Sequence, residues 1–178
     1  MLSTRDIVSI ALFAAMTAAL GLFPPITLPT GVPITAQSMG VMLAGALIGA
    51  RRGGLALLLF AVLVAIGLPL LAGGRGGIGI YFGPTAGFVL SWPIAAYVTG
   101  WLFDKHRGQP HPGISALYLI IGGIGVVYVI GWAWLAVMNG WDIAKTFTVA
   151  LPFIPGDLIK VALTVIIARG VKKAIPTL

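Results

Sequence analysis

Long apolar runs alternate along the chain with short segments that are polar or rich in glycine and proline. A helix that crosses a membrane needs about 20 mainly apolar residues. The pattern therefore predicts six membrane-spanning helices, of which the second and third are short and separated only by the basic, glycine-rich segment 51–54. The six predicted helices cover residues 7–23, 36–50, 54–70, 84–103, 114–138 and 149–170.

The composition fits a membrane protein and excludes several kinds of chemistry. Only 8% of the residues are charged and 59% are hydrophobic, whereas soluble domains carry about 25% charged residues. We therefore expect an all-α integral membrane protein in which residues 1–178 form a single domain. The chain has no cysteine, which excludes disulfides, a thiol nucleophile and a cysteine-based metal site.

The first apolar run is expected to be a retained helix. Arg5 precedes residues 7–23, and this run is long for the core of a signal peptide. Pro24 and Pro25 follow it, where a signal peptide would have small residues at a cleavage site.

The distribution of basic residues predicts the orientation in the cell membrane. The net charge of +7 would suggest nucleic acid as a partner of a soluble protein, but here the cations flank apolar spans, and no nucleic acid is expected. With both termini in the cytoplasm, eight cations lie inside and two outside, which is the positive-inside bias. The inner set is Arg5, Arg51, Arg52, Lys105, Arg107, Arg169, Lys172 and Lys173, and the outer set is Arg75 and Lys145.

The outer loops are unusually apolar. Residues 23–35 include four prolines and no charge, and residues 71–83 include six glycines. Irregular backbone at membrane depth is tolerated where it is buried in protein or lines a cavity. These loops are therefore expected either to fold back and cap a ligand cavity or to serve as plain connectors.

Motifs for enzymatic chemistry are missing. No GxxxxGK[ST], HExxH or GxSxG motif occurs, and residues 140–146 resemble a phosphate-binding loop without its second glycine. His106 and His111 share one short loop and are expected to be structural or solvated, with no bound metal. We therefore expect neither an enzyme nor an ATPase, and no cofactor.

Asp157 and Lys160 lie well inside the sixth predicted span, away from its ends. Residues three apart face the same side of a helix, and either charge costs roughly 2.5–3.5 kcal/mol near the centre of a span. One interpretation is an ion pair that only joins the helix to its neighbours. The other is a functional site, which is the default for ionisable residues in a span. Pro155 and Gly156 favour it, because they interrupt the helix and free backbone donors.

Three motifs, in order, carry a resemblance to a known family. They are VPITAQSMGVMLAGALIG (32–49), GLPLLAGGRGGIGIYFGPTAGF (67–88) and PGDLIK (155–160). On these motifs the chain resembles the BioY family, the biotin-specific substrate-binding subunits, or S components, of energy-coupling factor (ECF) transporters. The resemblance implies that the chain binds biotin at the outer face. A transmembrane coupling subunit and two ATPase subunits would be its partners.

The resemblance also suggests which residues meet the ligand. Asp157 and Lys160 would bind the ureido ring, and Arg75 would bind the carboxylate. Gly73 and Gly74 would let the backbone approach closely, and the remaining candidates wall the apolar part or lie at the mouth. These are Thr35, Gln37, Tyr81, Phe82, Thr85, Phe88 and Trp92.

Small residues on the first helix are the candidate docking surface for the coupling subunit. Ala11, Ala15 and Ala19 follow one another at intervals of four residues, and such spacing lets helices pack closely in a membrane. Spacing alone fits an internal packing face equally well, whereas the resemblance implies docking.

The chain departs from the family's sequence pattern at two positions, and three alternative functions stay open. Phe88 stands where the family's PTGGY-type element has tyrosine, and Leu71 stands where phenylalanine is more frequent. The alternatives are an S component for thiamine or riboflavin, a channel or proton-coupled carrier that uses Asp157 as a relay, and, less favoured, a membrane enzyme.

Overall fold

The computed structural model describes residues 2–27, 33–106 and 108–175, so Arg107 and residues 28–32 of the proline-rich loop lie outside it. The described chain is almost entirely helical, which confirms the all-α expectation. Its elements are α1 (Thr4–Leu20), β1 (Ile26–Thr27), β2 (Pro33–Ile34), α2 (Gln37–Ala65), a 3-10 helix (Ile78–Phe82), α3 (Ala86–Asp104), α4 (Pro112–Leu119), a π-helical segment (Ile120–Gly125), α5 (Val126–Asn139), α6 (Ile143–Ala150), a 3-10 turn (Leu151–Phe153) and α7 (Ile154–Ala174). The strands β1 and β2 form a two-residue antiparallel pair.

Four helical stretches of the described chain are long and apolar enough to cross a membrane. Two are single elements, α2 and α3. The other two are continuous runs, one from α4 through the π-helical segment to the end of α5, and one from α6 to the end of α7. Their bounds are Gln37–Ala65, Ala86–Asp104, Pro112–Asn139 and Ile143–Ala174.

Helix α2 is interrupted near its middle and folds back on itself. Gly49 has φ 77° and ψ 179°, a conformation that glycine adopts without steric cost. A Cβ built at Gly53 would lie 3.1 Å from the carbonyl carbon of Ala44, which a straight helix would place about two and a half turns away. The second and third predicted helices are therefore two arms of one helical segment. Its second arm ends at Ala65, five residues earlier than predicted.

Helix α3 packs against this interruption. A Cβ at Gly100 would overlap the backbone of Gly49 and Ala50, so only glycine permits the close approach. The carboxylate of Asp104 accepts a hydrogen bond from the Ala50 backbone N–H at 2.9 Å. This bond satisfies a donor that the interruption leaves without a helical partner.

Polar side chains cap the N-terminal ends of several helices. Ser3 and Asp6 form a reciprocal capping box at the start of α1, and the Ser3 hydrogen bonds hold the pKa of the Asp6 carboxyl below its usual value. His111 accepts from the Gly113 N–H at the start of α4. His106 lies 3.4 Å from the Tyr118 hydroxyl. Both histidines therefore have structural contacts, and no group of three potential metal-ligating side chains occurs in the described residues.

The last helical stretch begins earlier than the sequence pattern indicated. Asp142 caps α6 by accepting from the Lys145 N–H at 2.7 Å, so the chain is helical from Ile143 onwards. Pro155 lies in the first turn of α7, where a missing N–H leaves no hydrogen bond unmade. This placement puts Asp157 in the same first turn.

Candidate ligand-binding cavity

A cavity opens at the end of the bundle where α2, α3 and α7 begin. It encloses about 670 Å³ of empty space, including the open solvent at its mouth. Its walls are mainly apolar, with a few polar groups. The lining residues are Ile34, Thr35, Gln37, Ser38, Leu71, Arg75, Thr85, Phe88, Val89, Trp92, Val127, Tyr128, Trp132, Phe153, Asp157 and Lys160.

Asp157 and Lys160 form an ion pair in the cavity wall. Lys160 Nζ lies 2.8 Å from Asp157 Oδ1, and both side chains are more than four-fifths buried. Two further residues complete the network. Tyr128 donates its hydroxyl hydrogen to Asp157 Oδ2 at 2.7 Å, and Lys160 donates to Ser38 Oγ at 3.0 Å. The network therefore joins α2, α5 and α7. The Asp157 oxygens can still accept further hydrogen bonds, because each carboxylate oxygen accepts more than one.

Arg75 reaches the cavity from a tight turn. The backbones of Leu71 and Arg75 exchange two hydrogen bonds, of 3.0 and 3.1 Å. Gly73 and Gly74, between them, have φ values of 78° and 69°, which favour glycine. Neither glycine lines the cavity; their backbone instead closes the turn that presents Leu71 and Arg75 to it.

Gln37 anchors this turn to the bundle. Its side-chain oxygen accepts from the Ala72 N–H at 2.9 Å. Its side-chain nitrogen donates to the carbonyls of Leu70 at 2.9 Å and Thr17 at 3.2 Å. Because both polar atoms already bind backbone, Gln37 acts as a scaffold residue in the cavity wall.

Aromatic rings form the apolar side of the cavity. Trp132 meets three rings edge-on, with centroid distances of 5.3 Å to Phe88, 5.9 Å to Tyr128 and 5.1 Å to Phe153. The Trp132 side chain is 5% exposed, and its indole N–H has no hydrogen-bond acceptor among the described residues. A buried donor without a partner is costly, so this group would gain from an acceptor on a ligand.

The charged groups give the cavity a net positive character. Arg75 and Lys160 oppose the single carboxylate of Asp157. The cavity also lies at the N-terminal ends of α2 and α3, and a helix N-terminus carries a partial positive charge. The electrostatics therefore favour a ligand with one negative charge.

The structure brings together most of the predicted ligand-binding residues. Gln37, Arg75, Thr85, Phe88, Asp157 and Lys160 line the cavity, as do Thr35 and Trp92. Tyr81 and Phe82 do not. The Tyr81 hydroxyl donates to the Ala61 carbonyl, and burial raises the pKa of this phenol. Phe82 is 74% exposed.

Sequence reasoning missed Ser38, Tyr128, Trp132 and Phe153. A tyrosine in the middle of an apolar span was the available signal for Tyr128, because a buried hydroxyl needs a partner. Trp132 follows Tyr128 by one helical turn and so shares its face. Nothing in the sequence distinguished Ser38 or Phe153 from ordinary packing residues.

The alanines of α1 lie on its outer surface. Ala11, Ala15 and Ala19 are exposed, whereas Ala14 is buried. The internal packing face that spacing alone allowed is therefore wrong for these three residues. Their role as a docking surface stays a prediction.

Comparison with known proteins identifies the family. The model of the BioY family matches residues 1–177. The chain belongs to the BioY family. The resemblance carried by the three sequence motifs is thereby confirmed.

Named BioY relatives match over nearly the whole chain. The biotin transporter BioY of Rhizobium etli is 48% identical over 183 residues, which cover 99% of this chain and 98% of the relative. The biotin transporter BioY of Rhodobacter capsulatus is 46% identical over 182 residues, with coverages of 97% and 96%. The crystal structure of the S-component for biotin from an ECF-type ABC transporter shares the fold. Its TM-score is 0.90 at 30% identity, and the match covers 97% of this chain and 95% of that one.

Proposed function

We propose that this chain is the membrane subunit that captures biotin for an ATP-driven ECF transporter. The named relatives are biotin transporters, and the similar solved structure is an S-component for biotin. The observation that carries the proposal is the cavity, with apolar aromatic walls, two cations and one carboxylate. Biotin has the matching chemistry, with one carboxylate, an apolar thioether ring and a ureido group.

The ureido group fits the network around Asp157. A ureido ring offers two N–H donors and one carbonyl acceptor. The Asp157 carboxylate accepts one additional hydrogen bond, from a ureido N–H, while Lys160 or Ser38 donates to the ureido carbonyl. In a cavity that excludes water, each such bond is stronger than at the surface. Lys160 thus pairs with Asp157 at 2.8 Å and binds Ser38 at 3.0 Å, which leaves one of its three N–H donors for the ligand.

The other end of the ligand is matched by Arg75. Its turn lies at the mouth, and its side chain is exposed, so a carboxylate bound there stays partly hydrated. The thioether ring then packs between Trp132, Phe88 and Phe153. The indole N–H of Trp132, which has no acceptor among the described residues, supplies one more donor on this wall.

We also propose that the chain crosses the membrane six times and that the cavity faces outwards. The two arms of α2 count as two spans, because the chain reverses at Gly49. Gln37 at the start of α2 bonds to Leu70 and Ala72 beyond its end, so both arms end on the cavity side. The basic residues of the 51–54 segment mark the opposite, cytoplasmic side, and both termini lie there. Loop 71–83 would cap the cavity together with Ile34 and Thr35 of loop 23–35; residues 28–32 of that loop lie outside the described residues.

The proposed partners are a transmembrane coupling subunit and two ATPase subunits. The exposed stripe of Ala11, Ala15 and Ala19 is the proposed contact with the coupling subunit, because small side chains let helices approach closely. The chain itself carries no phosphate-binding motif, so the ATPase subunits would supply the energy.

Titration of the purified chain with three vitamins tests the proposal. We expect calorimetry in detergent to show tight binding of biotin and none of thiamine, which is a cation, or of riboflavin. Heat with thiamine or riboflavin but not with biotin would assign a different vitamin. Uptake of biotin by vesicles that depends on a proton gradient and needs no ATPase would instead indicate a stand-alone carrier.

A further inference from the structure

We propose that a second site, at the opposite end of the bundle from the cavity, binds the phosphate of an anionic lipid headgroup. A groove lies there between α3, α4 and α7 and encloses about 270 Å³ of empty space, including its mouth. Two cations, Arg169 and Lys172, line it together with polar and apolar groups. The remaining lining residues are Phe103, Gln109, Pro110, Ser115, Leu119, Val165 and Ala168.

Neither cation pairs with a carboxylate in the described part of the chain. Both belong to α7, at positions three apart, so they face the same side of the helix. Among the described residues, no ion pair within 4.0 Å involves either of them. Asp104 is near enough to attract Lys172 electrostatically, but one carboxylate offsets only one of the two cations. The groove therefore keeps a positive charge that an anion would neutralise.

Donors in the groove are only partly used. One N–H of Arg169 binds the Pro110 carbonyl at 2.8 Å, which leaves the rest of the guanidinium for a phosphate. Lys172 makes no hydrogen bond within the described residues; its Nζ lies 5.4 Å from the Phe103 ring centroid. The Ser115 hydroxyl is 4% exposed and reaches the Pro110 carbonyl only at 3.5 Å. Three donors on two helices can thus converge on one anion.

The position of the groove favours a lipid as the source of that phosphate. It lies where α3, α4 and α7 meet Gln109 and Pro110, and its two cations belong to the set predicted for the cytoplasmic side. The same helices carry exposed apolar side chains, Ile114 and Leu117 on α4 and Ile167 on α7, which acyl chains would contact under this proposal. Basic pockets between membrane helices on the cytoplasmic side are a known mode of binding anionic headgroups.

Native mass spectrometry of the detergent-solubilised chain tests this site. Phosphatidylglycerol and phosphatidylcholine with identical acyl chains are the probes, and inorganic phosphate is the competitor. We expect the chain to retain phosphatidylglycerol preferentially. Lys172→Gln should weaken this retention about fivefold, and the double variant with Arg169→Gln about 25-fold, because each cation near a membrane surface contributes roughly 1 kcal/mol. Lys173→Gln is the matched control: it is the next residue, exposed and outside the groove.

Each alternative outcome overturns the site. Equal losses in Lys172→Gln and Lys173→Gln would indicate diffuse surface charge. Equal retention of both lipids would indicate acyl contacts alone, and displacement by inorganic phosphate at matching concentration would assign a free anion. Lys172→Gln removes no hydrogen bond within the described residues, so it decides the question even if the double variant does not fold, and a melting curve checks each variant.

Discussion

Tyr128 on α5 donates its hydroxyl hydrogen to Asp157 on α7 at 2.7 Å, while Lys160 engages the other carboxylate oxygen at 2.8 Å. Asp157 is therefore fixed from two sides, by a neutral donor and by a cation. A carboxylate in a membrane bundle needs such partners, because its desolvation is expensive. The same two contacts orient the carboxylate towards the cavity, so the stability of the bundle and the shape of the site depend on one group.

The hydroxyl of Tyr128 should matter both for stability and for binding. We expect Tyr128→Phe to lower the free energy of unfolding by about 0.5–2 kcal/mol, the range for hydrogen bonds between membrane helices. Biotin affinity should fall severalfold, because Asp157 loses one of its constraints. Thermal melting and calorimetry measure the two effects. Tyr118→Phe is the control, since its hydroxyl makes only a 3.4 Å contact with His106. Similar losses of biotin affinity in both variants would argue against a specific role for Tyr128.

Arg75 should recognise the carboxylate of the ligand. We expect Arg75→Gln to weaken biotin binding about tenfold or more, within the range of 1.5–3 kcal/mol for a hydrogen bond to a charged group. The affinity for biotin amide, which has no negative charge, should change little. Lys145→Gln is the control, because Lys145 is the other predicted outer cation and does not line the cavity. An equal loss for biotin and its amide would show that Arg75 acts through the turn and not through the carboxylate.

The close packing of α3 on the interruption of α2 should depend on Gly100. We expect Gly100→Ala to destabilise the fold by about 1–3 kcal/mol, the usual cost of overpacking, because the added methyl group overlaps the backbone of Gly49 and Ala50. Gly170→Ala is the matched control: it lies in α7 with nothing within 4 Å of the added carbon. It should be neutral or slightly stabilising, since alanine favours helix. Thermal melting of both variants in one detergent gives the comparison, and equal melting temperatures would contradict the packing.

The α1 stripe should affect assembly and not biotin binding. We expect Ala15→Trp to fold and to bind biotin normally, because Ala15 is exposed, but to lose association with the coupling subunit through steric bulk. Co-purification with the coupling and ATPase subunits measures the effect. Val129→Trp is the control, on α5 and 72% exposed. Normal co-purification of Ala15→Trp would remove this stripe from the interface.

The helical fold and the charged pair Asp157 and Lys160 could be predicted from the sequence. Long apolar runs, and charged residues within them, are visible without knowledge of distant contacts. Asp157 and Lys160 lie three residues apart on one helix, so their pairing follows from spacing alone. Arg75 stood out as one of two outer cations, and the glycines beside it indicated a turn. These features need no knowledge of which helices are neighbours.

The rest of the site depends on contacts between distant segments. Ser38 meets Lys160 across 122 positions of sequence, and nothing local to Ser38 indicates that contact. The sequence pattern predicts the reversal of α2 a few residues late, because the basic, glycine-rich segment 51–54 separates the two apolar runs. In the structure the chain turns before it, where Asp104 supplies a partner for the Ala50 N–H.

Biotin titration of the double variant Asp157→Asn with Lys160→Met tests most directly whether the charged pair is the binding site. Asp157→Asn alone should weaken binding by about 1.5–3 kcal/mol, or roughly ten- to a hundredfold, and it also leaves Lys160 without its counter-ion. Replacing both members of a buried pair can restore stability, because neither charge is left uncompensated. We predict that the double variant melts near the wild-type temperature yet still binds biotin at least tenfold more weakly. Near wild-type affinity in the stably folded double variant would contradict the assignment and leave Asp157 and Lys160 as a structural ion pair.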